Sequence, residues 1–371
     1  MKNILRAFVL AVLGGIIGVS ATHFSMDFLS PLLDSMHLAW LLILLPLSVF
    51  SAILIHEVGH VVGGAMNGFR FSFLSVFLLR IEKINGRLEV GLNRILAGQG
   101  GLAVMVPPPA VTRGNYLWFV AGGPLGSLAG VLLSGVGLYF LYPDYPIGAL
   151  FCAASVMLNG LTAFLTMLPI HLDDNIDTDG IQFFDLVRAG DRASRKLTMA
   201  RLLHEVSSGI RPSEYPEELI QSLIRNGEPD RDTLLALLFR NSAQIDRREW
   251  KEGLDTITYV IRHIDKLPPI MRRMIYLQGT ILEGIHGNAA NAQDLLAKAG
   301  TKGWADQACV TLAKATVAFA ANRFETVSPL LNQVEQEVQD VKEPGSRIFY
   351  QGLIEELRHR IEPVQPGIEV S

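Results

Sequence analysis

Cysteine and charge are both scarce in this chain, and each scarcity excludes a class of protein. Two cysteines, Cys152 and Cys309, in 371 residues cannot build a disulfide framework or a thiolate zinc site, so both read as packing residues. Lys and Arg number 32 against 36 Asp and Glu, a net charge of −4, and no cluster of basic residues occurs anywhere. Without a basic field there is nothing to neutralise a run of phosphates, which excludes nucleic acid as a partner. Charged residues are only 18% of the chain while hydrophobic ones reach 49%. The deficit is uneven, since residues 1–180 hold eight of the Lys/Arg and ten of the Asp/Glu. Such a composition predicts a membrane part followed by a soluble part.

Apolar segments long enough to cross a bilayer, which takes about 20 residues, run from Ala7 to Thr22, Leu38 to Met66, Tyr116 to Tyr142 and Ile147 to Ile170. The first is short, and its Lys2, Arg6 and Val19-Ser20-Ala21 also resemble a signal peptide; cleavage leaves the later topology unchanged. Between the second and third spans lie Arg70, Arg80, Lys83, Arg87, Arg94 and Arg113, whereas residues 23–37 and 143–146 contain no Lys or Arg. Positive charge stays inside, so both chain ends are expected in the cytoplasm. The basic loop is itself too apolar for a plain connection. Ile81-Glu82-Lys83-Ile84 and Arg87-Leu88-Glu89-Val90 flank Asn85-Gly86, a strong hairpin signal because both turn positions favour positive φ. Leu102 to Val106, ending at Pro107-Pro108-Pro109, is a further candidate strand. Strand edges are unstable in bare lipid, so this segment is expected at the interface or lining a protein-walled cavity.

His56-Glu57-Val58-Gly59-His60 follows a stretch without charge from Leu38 to Ile55. Ionisable groups inside a membrane span are costly and are retained for function. On a helix, His56 and His60 stand at i and i+4 on one face, so two imidazole nitrogens can take adjacent corners of a zinc tetrahedron. Glu57 lies one position round, placed to take a proton from water without ligating. At 1.5 Å per residue the pair sits about 10 to 15 Å below the cytoplasmic surface. A catalytic zinc needs a third protein ligand. Only the stretch from His171 to Gly180 reaches the right depth, and it offers His171, Asp173, Asp174, Asp177 and Asp179 without a spacing that selects one. Residues 175–180 also match the start of an EF-hand loop, but the twelfth position is Leu186, where calcium requires a bidentate glutamate.

On these residues the chain resembles the site-2 protease family of intramembrane zinc metalloproteases. That family joins a membrane HExxH helix to a downstream Asp-Gly. Here Asp179-Gly180 fits, preceded by Leu168-Pro169 and followed by Ile181-Gln182-Phe183-Phe184. The middle span carries Gly122-Gly123-Pro124-Leu125-Gly126-Ser127, similar to the family's Gly-Pro segment, although small residues of this kind also serve plain helix packing. The resemblance covers about Ile53 to Arg188. It implies one zinc per chain held by His56, His60 and Asp179, with Asp177, Asp174 and His171 as alternates, and Glu57 as general base. It also implies that the strand-forming segment presents an unwound substrate. Two positions depart from the family: Thr166 stands where an Asn is frequent three residues before the Pro, and Ser127 replaces an Asn often seen after Gly-Pro. Asn159 lies too far upstream to take the first place. The interval from Pro169 to Asp179 is also longer and more acidic than usual.

After Ala189-Gly190 the chain turns charged and helical. Leu234 to Asp246 with Glu249 to Ile264, Met271 to Gly287 with Ala289 to Ala299, and Ala305 to Ala321 with Phe324 to Val338 read as three antiparallel helix pairs. They resemble degenerate tetratricopeptide repeats closed by a capping helix from Arg347 to Ile361, without the repeats' strong Trp, Gly and Pro marks. His204-Glu205 has Ser208, not His, at i+4 of the histidine, so this half carries no second metal motif. The expected fold is therefore mainly α: about four transmembrane helices with an interfacial β-hairpin in residues 1–188, and a cytoplasmic repeat-like helical domain in 189–371. The expected function is zinc-dependent hydrolysis of peptide bonds in or near transmembrane segments of membrane proteins, in the bilayer of a bacterial cell membrane. The helical domain would hold a protein partner or the substrate. The alternative is a non-catalytic metal-binding scaffold recruiting partners through that domain.

Overall fold

The computed structural model describes residues 38–361, apart from residues 85, 93–99, 143, 174–175, 226–228, 302–304 and 342–343. The expected first span, Ala7 to Thr22, lies outside the described residues. Three described helices are long and apolar enough to cross a membrane: α1 (Leu38–Ala65, its candidate span Leu42–Ala65), α2 (Arg113–Leu141) and α3 (Pro146–Met167). The chain is a polytopic membrane protein on that length and composition. It divides into two compact units.

The first unit takes residues 38–60 and Gly122–Met167, and so most of α1 and α2 and all of α3. Its side chains are sorted against the usual rule. Leu42, Leu132, Leu133 and Phe140 are all more than 70% exposed, whereas Ser48, Ser127 and Asn159 are fully buried. In lipid the tails solvate the leucines, so helix association rests on close packing of small residues. Gly59 and Gly122 provide it: a Cβ on either would strike the carbonyl group of the other, and one on Gly126 would lie 2.8 Å from the Ile55 carbonyl oxygen. The backbones of α1 and α2 thus touch where the histidine motif lies. A Cβ on Gly130 would run into the Asn159 side chain of α3.

The second unit takes Val61–Ala121 and Leu168–Ser371. Its sheet has four antiparallel strands in the order β3-β2-β1-β4: β1 (Arg70–Val76), β2 (Leu79–Ile84), β3 (Arg87–Leu92) and β4 (Gly101–Val106). The expected hairpin is β2–β3, with Ile84 opposite Arg87 and Gly86 at φ 81°. Strand β1 adds to the expected elements and turns the hairpin and the separate strand into one sheet. Directly opposed residues share a face, so Leu74, Ile81 and Val90 line up, as do Val76, Leu79 and Leu92. Leu74 and Val76 are buried, but Val90 and Leu92 on the outer strand are 71% and 69% exposed.

A two-stranded ladder, β5 (His171–Asp173) and β6 (Ile176–Asp177), precedes α4 (Asp179–Arg188), and α5 (Asp191–Ser207) and α6 (Glu217–Leu223) follow. Leu186, the residue that excludes an EF-hand, is fully buried beside Val120 and Ala193. Arg195 on α5 is only 6% exposed, and it donates to both carboxylate oxygens of Asp230 and to the Leu223 carbonyl. Burial pushes the Asp230 carboxyl up, but hydrogen bonds from Thr233 and the Arg195 charge outweigh it and hold the group below its usual range.

The three expected pairs are present: α7 (Arg231–Asp246) with α8 (Trp250–Arg262), α9 (Arg272–Ile285) with α10 (Ala289–Ala299), and α11 (Gln307–Ala320) with α12 (Phe324–Glu337); α13 (Pro344–Ile361) ends them. Each pair is joined by the same device. A residue with positive φ follows the first helix, Arg248, Gly287 or Asn322. The next amide reaches back five residues, Glu249 to Gln244, Asn288 to Glu283 and Arg323 to Ala318, which satisfies a terminal carbonyl. Helices α9 and α11 are buried on most sides through Ile275, Leu277, Leu282, Leu312 and Ala315. Each large apolar side chain among them contributes about 1.5–3 kcal/mol. Burial pushes the Cys309 thiol up to about 12, in keeping with a packing cysteine.

Candidate metal centre

In the first unit, α1 delivers the motif as one continuous helix. His56 and His60 are both buried, at 6% and 8% exposure, and Glu57 at 9%. The two rings meet edge to face, centroids 4.9 Å apart and planes at 89°, as the i, i+4 spacing requires. Beneath them lies Gly123 of α2. A Cβ there would run into the His60 ring and come within 2.8 Å of His56 Cε1, so the rings rest on bare backbone. The Gly-Gly-Pro-Leu-Gly-Ser segment therefore has two separate tasks: Gly122 and Gly126 let the helices touch, and Gly123 clears a seat for the imidazoles.

Ser127, one of the two departures from the family pattern, is fully buried, and its Oγ lies 3.0 Å from His56 Nδ1. A sequence signal for this role exists, since Ser127 and Gly123 are also i and i+4 and share a helix face. Asn159 and Thr166 bond locally on α3: the Asn159 amide donates to the Ser155 carbonyl at 2.8 Å and the Thr166 hydroxyl to the Ala163 carbonyl at 3.5 Å.

In the second unit, the acidic stretch ends where α4 begins. Thr178 caps the helix, accepting from the Ile181 amide and donating to the Leu168 carbonyl at 2.6 Å. Asp179 is consequently held in the first turn, half-buried, with buried Gly180 behind it. A carboxylate at a helix N-terminus is favoured by the helix dipole. Asp177, the close rival, lies 3.2 Å from the Lys196 ammonium. Asp174 lies outside the described residues. The remaining histidine motif is structural, for His204 Nδ1 sits 2.7 Å from the Pro107 carbonyl and fastens α5 to the end of β4.

Among the described residues, the first unit offers the paired imidazoles of His56 and His60 and the second unit the carboxylate of Asp179. Two imidazole nitrogens and a carboxylate oxygen suit zinc, which leaves a fourth position open in catalytic sites. No family model matches the chain, and neither does any curated protein or solved structure.

Proposed function

We propose that the chain is an intramembrane zinc metalloprotease of the site-2 kind, with His56, His60 and Asp179 as ligands and Glu57 as general base. The observation that carries the reading is the geometry of the motif on α1, where two buried imidazoles one turn apart meet edge to face, ring centroids 4.9 Å apart, with buried Glu57 beside them. Asp179 is preferred to Asp177 because Gly180 follows it, the Asp-Gly pair on which the resemblance rests. Zinc bound there supplies Lewis acidity to a water and to a peptide carbonyl. Glu57, buried one position from His56, accepts the proton of the attacking water and returns it to the leaving amine. The charges balance: two carboxylates, Asp179 and Glu57, offset a divalent ion, and a net-neutral set is the affordable one inside a span.

The substrate is a transmembrane segment of another membrane protein. Strand β3 lies at the edge of the sheet, and an extended peptide can add to such an edge; its exposed Val90 and Leu92 suit an apolar chain or the lipid interface. The division of labour falls at residue 188, and the helices after it hold a protein partner or the substrate. Both termini face the cytoplasm of a bacterial cell. A cysteine at exposed position 251 on α8 should be labelled by an impermeant reagent only after the membrane is opened; labelling on intact cells overturns that orientation.

The decisive experiment measures zinc content and cleavage of a membrane-protein substrate in purified variants. Glu57→Gln should keep zinc and lose cleavage by at least about 10²-fold, the scale of a general base. Asp179→Asn should lose both, whereas Asp177→Asn should keep zinc. Full cleavage by Glu57→Gln removes Glu57 as the general base, whereas a zinc-loaded wild-type chain that cleaves nothing favours the metal-bearing scaffold. Zinc retained by Asp179→Asn but lost by Asp177→Asn moves the third ligand to Asp177.

A further inference from the structure

His56 has two ring nitrogens and only one can ligate. The contact between its Nδ1 and Ser127 Oγ, 3.0 Å, decides which. If the ring carries its proton on Nδ1, it donates to the serine oxygen and the Nε2 lone pair remains for a metal. If the hydroxyl donates instead, the proton sits on Nε2 and the neutral ring has no lone pair to offer. Only the first arrangement is compatible with a ligand. It also selects one ring orientation out of a torsion that is otherwise broad and roughly two-fold.

The kind of partner matters as well. Metal-bound histidines are commonly oriented by a carboxylate, a carbonyl or a water. In this bundle a carboxylate at position 127 would add a third negative charge to Asp179 and Glu57, leaving the loaded site at −1 within a membrane helix, where an uncompensated charge is expensive. A hydroxyl orients the ring and adds no charge. Ser127 is fully buried and is carried on the same face of α2 as Gly123, on which both rings rest. Helix α2 thus supplies the seat and the orienting group together.

We infer that Ser127 is the positioning residue of the metal centre, its hydroxyl accepting from His56 Nδ1 so that Nε2 faces the ion. The inference rests on the proposed metal reading and extends it to a position where the sequence departs from the family. Zinc affinity of the purified full chain, measured by competition with a chelator in detergent, tests it without reference to cleavage. Ser127→Ala should weaken zinc binding by about 10- to 100-fold, the usual consequence of removing a group that orients a ligand. Ser127→Thr and Ser127→Val, equal in shape but differing in the hydroxyl, separate hydrogen bonding from packing: the Thr variant should bind zinc at least about tenfold more tightly than the Val variant. The cobalt-loaded Ala variant should also show a shifted visible absorption. Wild-type affinity in Ser127→Ala, or equal affinities in the Thr and Val variants, overturns the inference while leaving the metal centre standing. A wild-type chain that takes up no zinc overturns both.

Discussion

The membrane bundle and the paired helices from α7 to α13 treat polar and apolar side chains in opposite ways. The bundle turns Leu132, Leu133 and Phe140 outward and buries His56, Glu57, His60, Ser127 and Asn159; the paired helices bury Leu277, Leu282, Leu312 and Leu331 and turn such charges as Lys251, Glu252 and Lys314 outward. Water drives the second arrangement, because burying apolar area removes it from an unfavourable solvent. Lipid removes that drive, since tails are as apolar as leucine, and leaves close contact and hydrogen bonding to hold helices together. Both regions nevertheless use the same device where backbones must touch. Gly59 against Gly122 in the bundle has a counterpart in Gly284, where a Cβ would lie 2.8 Å from the Thr316 carbonyl oxygen. Buried charge marks the contrast most clearly. In the second unit Arg195 is fully engaged by Asp230 and the Leu223 carbonyl and serves to hold helices. The buried ionisable groups described in the bundle, His56, Glu57 and His60, stand within two turns of α1.

The largest effect expected from breaking this comparison is at Gly123. A single methyl group in Gly123→Ala collides with both imidazoles, and zinc retention should fall by more than about 100-fold, since misplaced ligands bind metal poorly. Gly135 is the control on the same helix, for nothing lies within 4 Å of the position its Cβ would take. Gly135→Ala should leave zinc retention within about twofold and gain slightly in helix propensity. Equal loss in both variants, read by metal analysis, would show that the bundle tolerates no alanine and that Gly123 has no special seat.

A smaller and different effect is expected at Arg195. Arg195→Ala strips the partner from the Leu223 carbonyl and Asp230, at a cost of about 2–3 kcal/mol. Thermal unfolding followed by circular dichroism should show the second unit melting several degrees lower, with zinc content unchanged. Loss of zinc without loss of stability would mean that buried charge serves the same purpose in both regions.

Much of the architecture is legible in the sequence because periodicity and length are local properties. Four-residue spacing is enough to put His56 and His60 on one face of a helix, and the lack of charge from Leu38 to Ile55 marks that helix as membrane. The helix pairs from Leu234 to Val338 are legible for the same reason, to within a few residues at each end. Strand β1 is not. Arg70–Val76 alternates only partly, with the pattern of a central strand partnered on both sides, and one of those partners, β4, is distant in sequence. Pairing of that kind leaves little local trace.

By itself the sequence determined what can happen: two imidazoles and a carboxylate on one membrane helix, an acidic segment after the last long apolar helix, and a charged helical half. Tertiary structure alone decided how the site is furnished. That Gly123 must lack a side chain, that Ser127 meets His56 Nδ1, and that Lys196 engages Asp177 all depend on contacts between different elements of the fold. Such contacts are fixed by where backbones cross, which in lipid is set by whether two glycines can touch, and no spacing along one helix encodes which residue of another will face it.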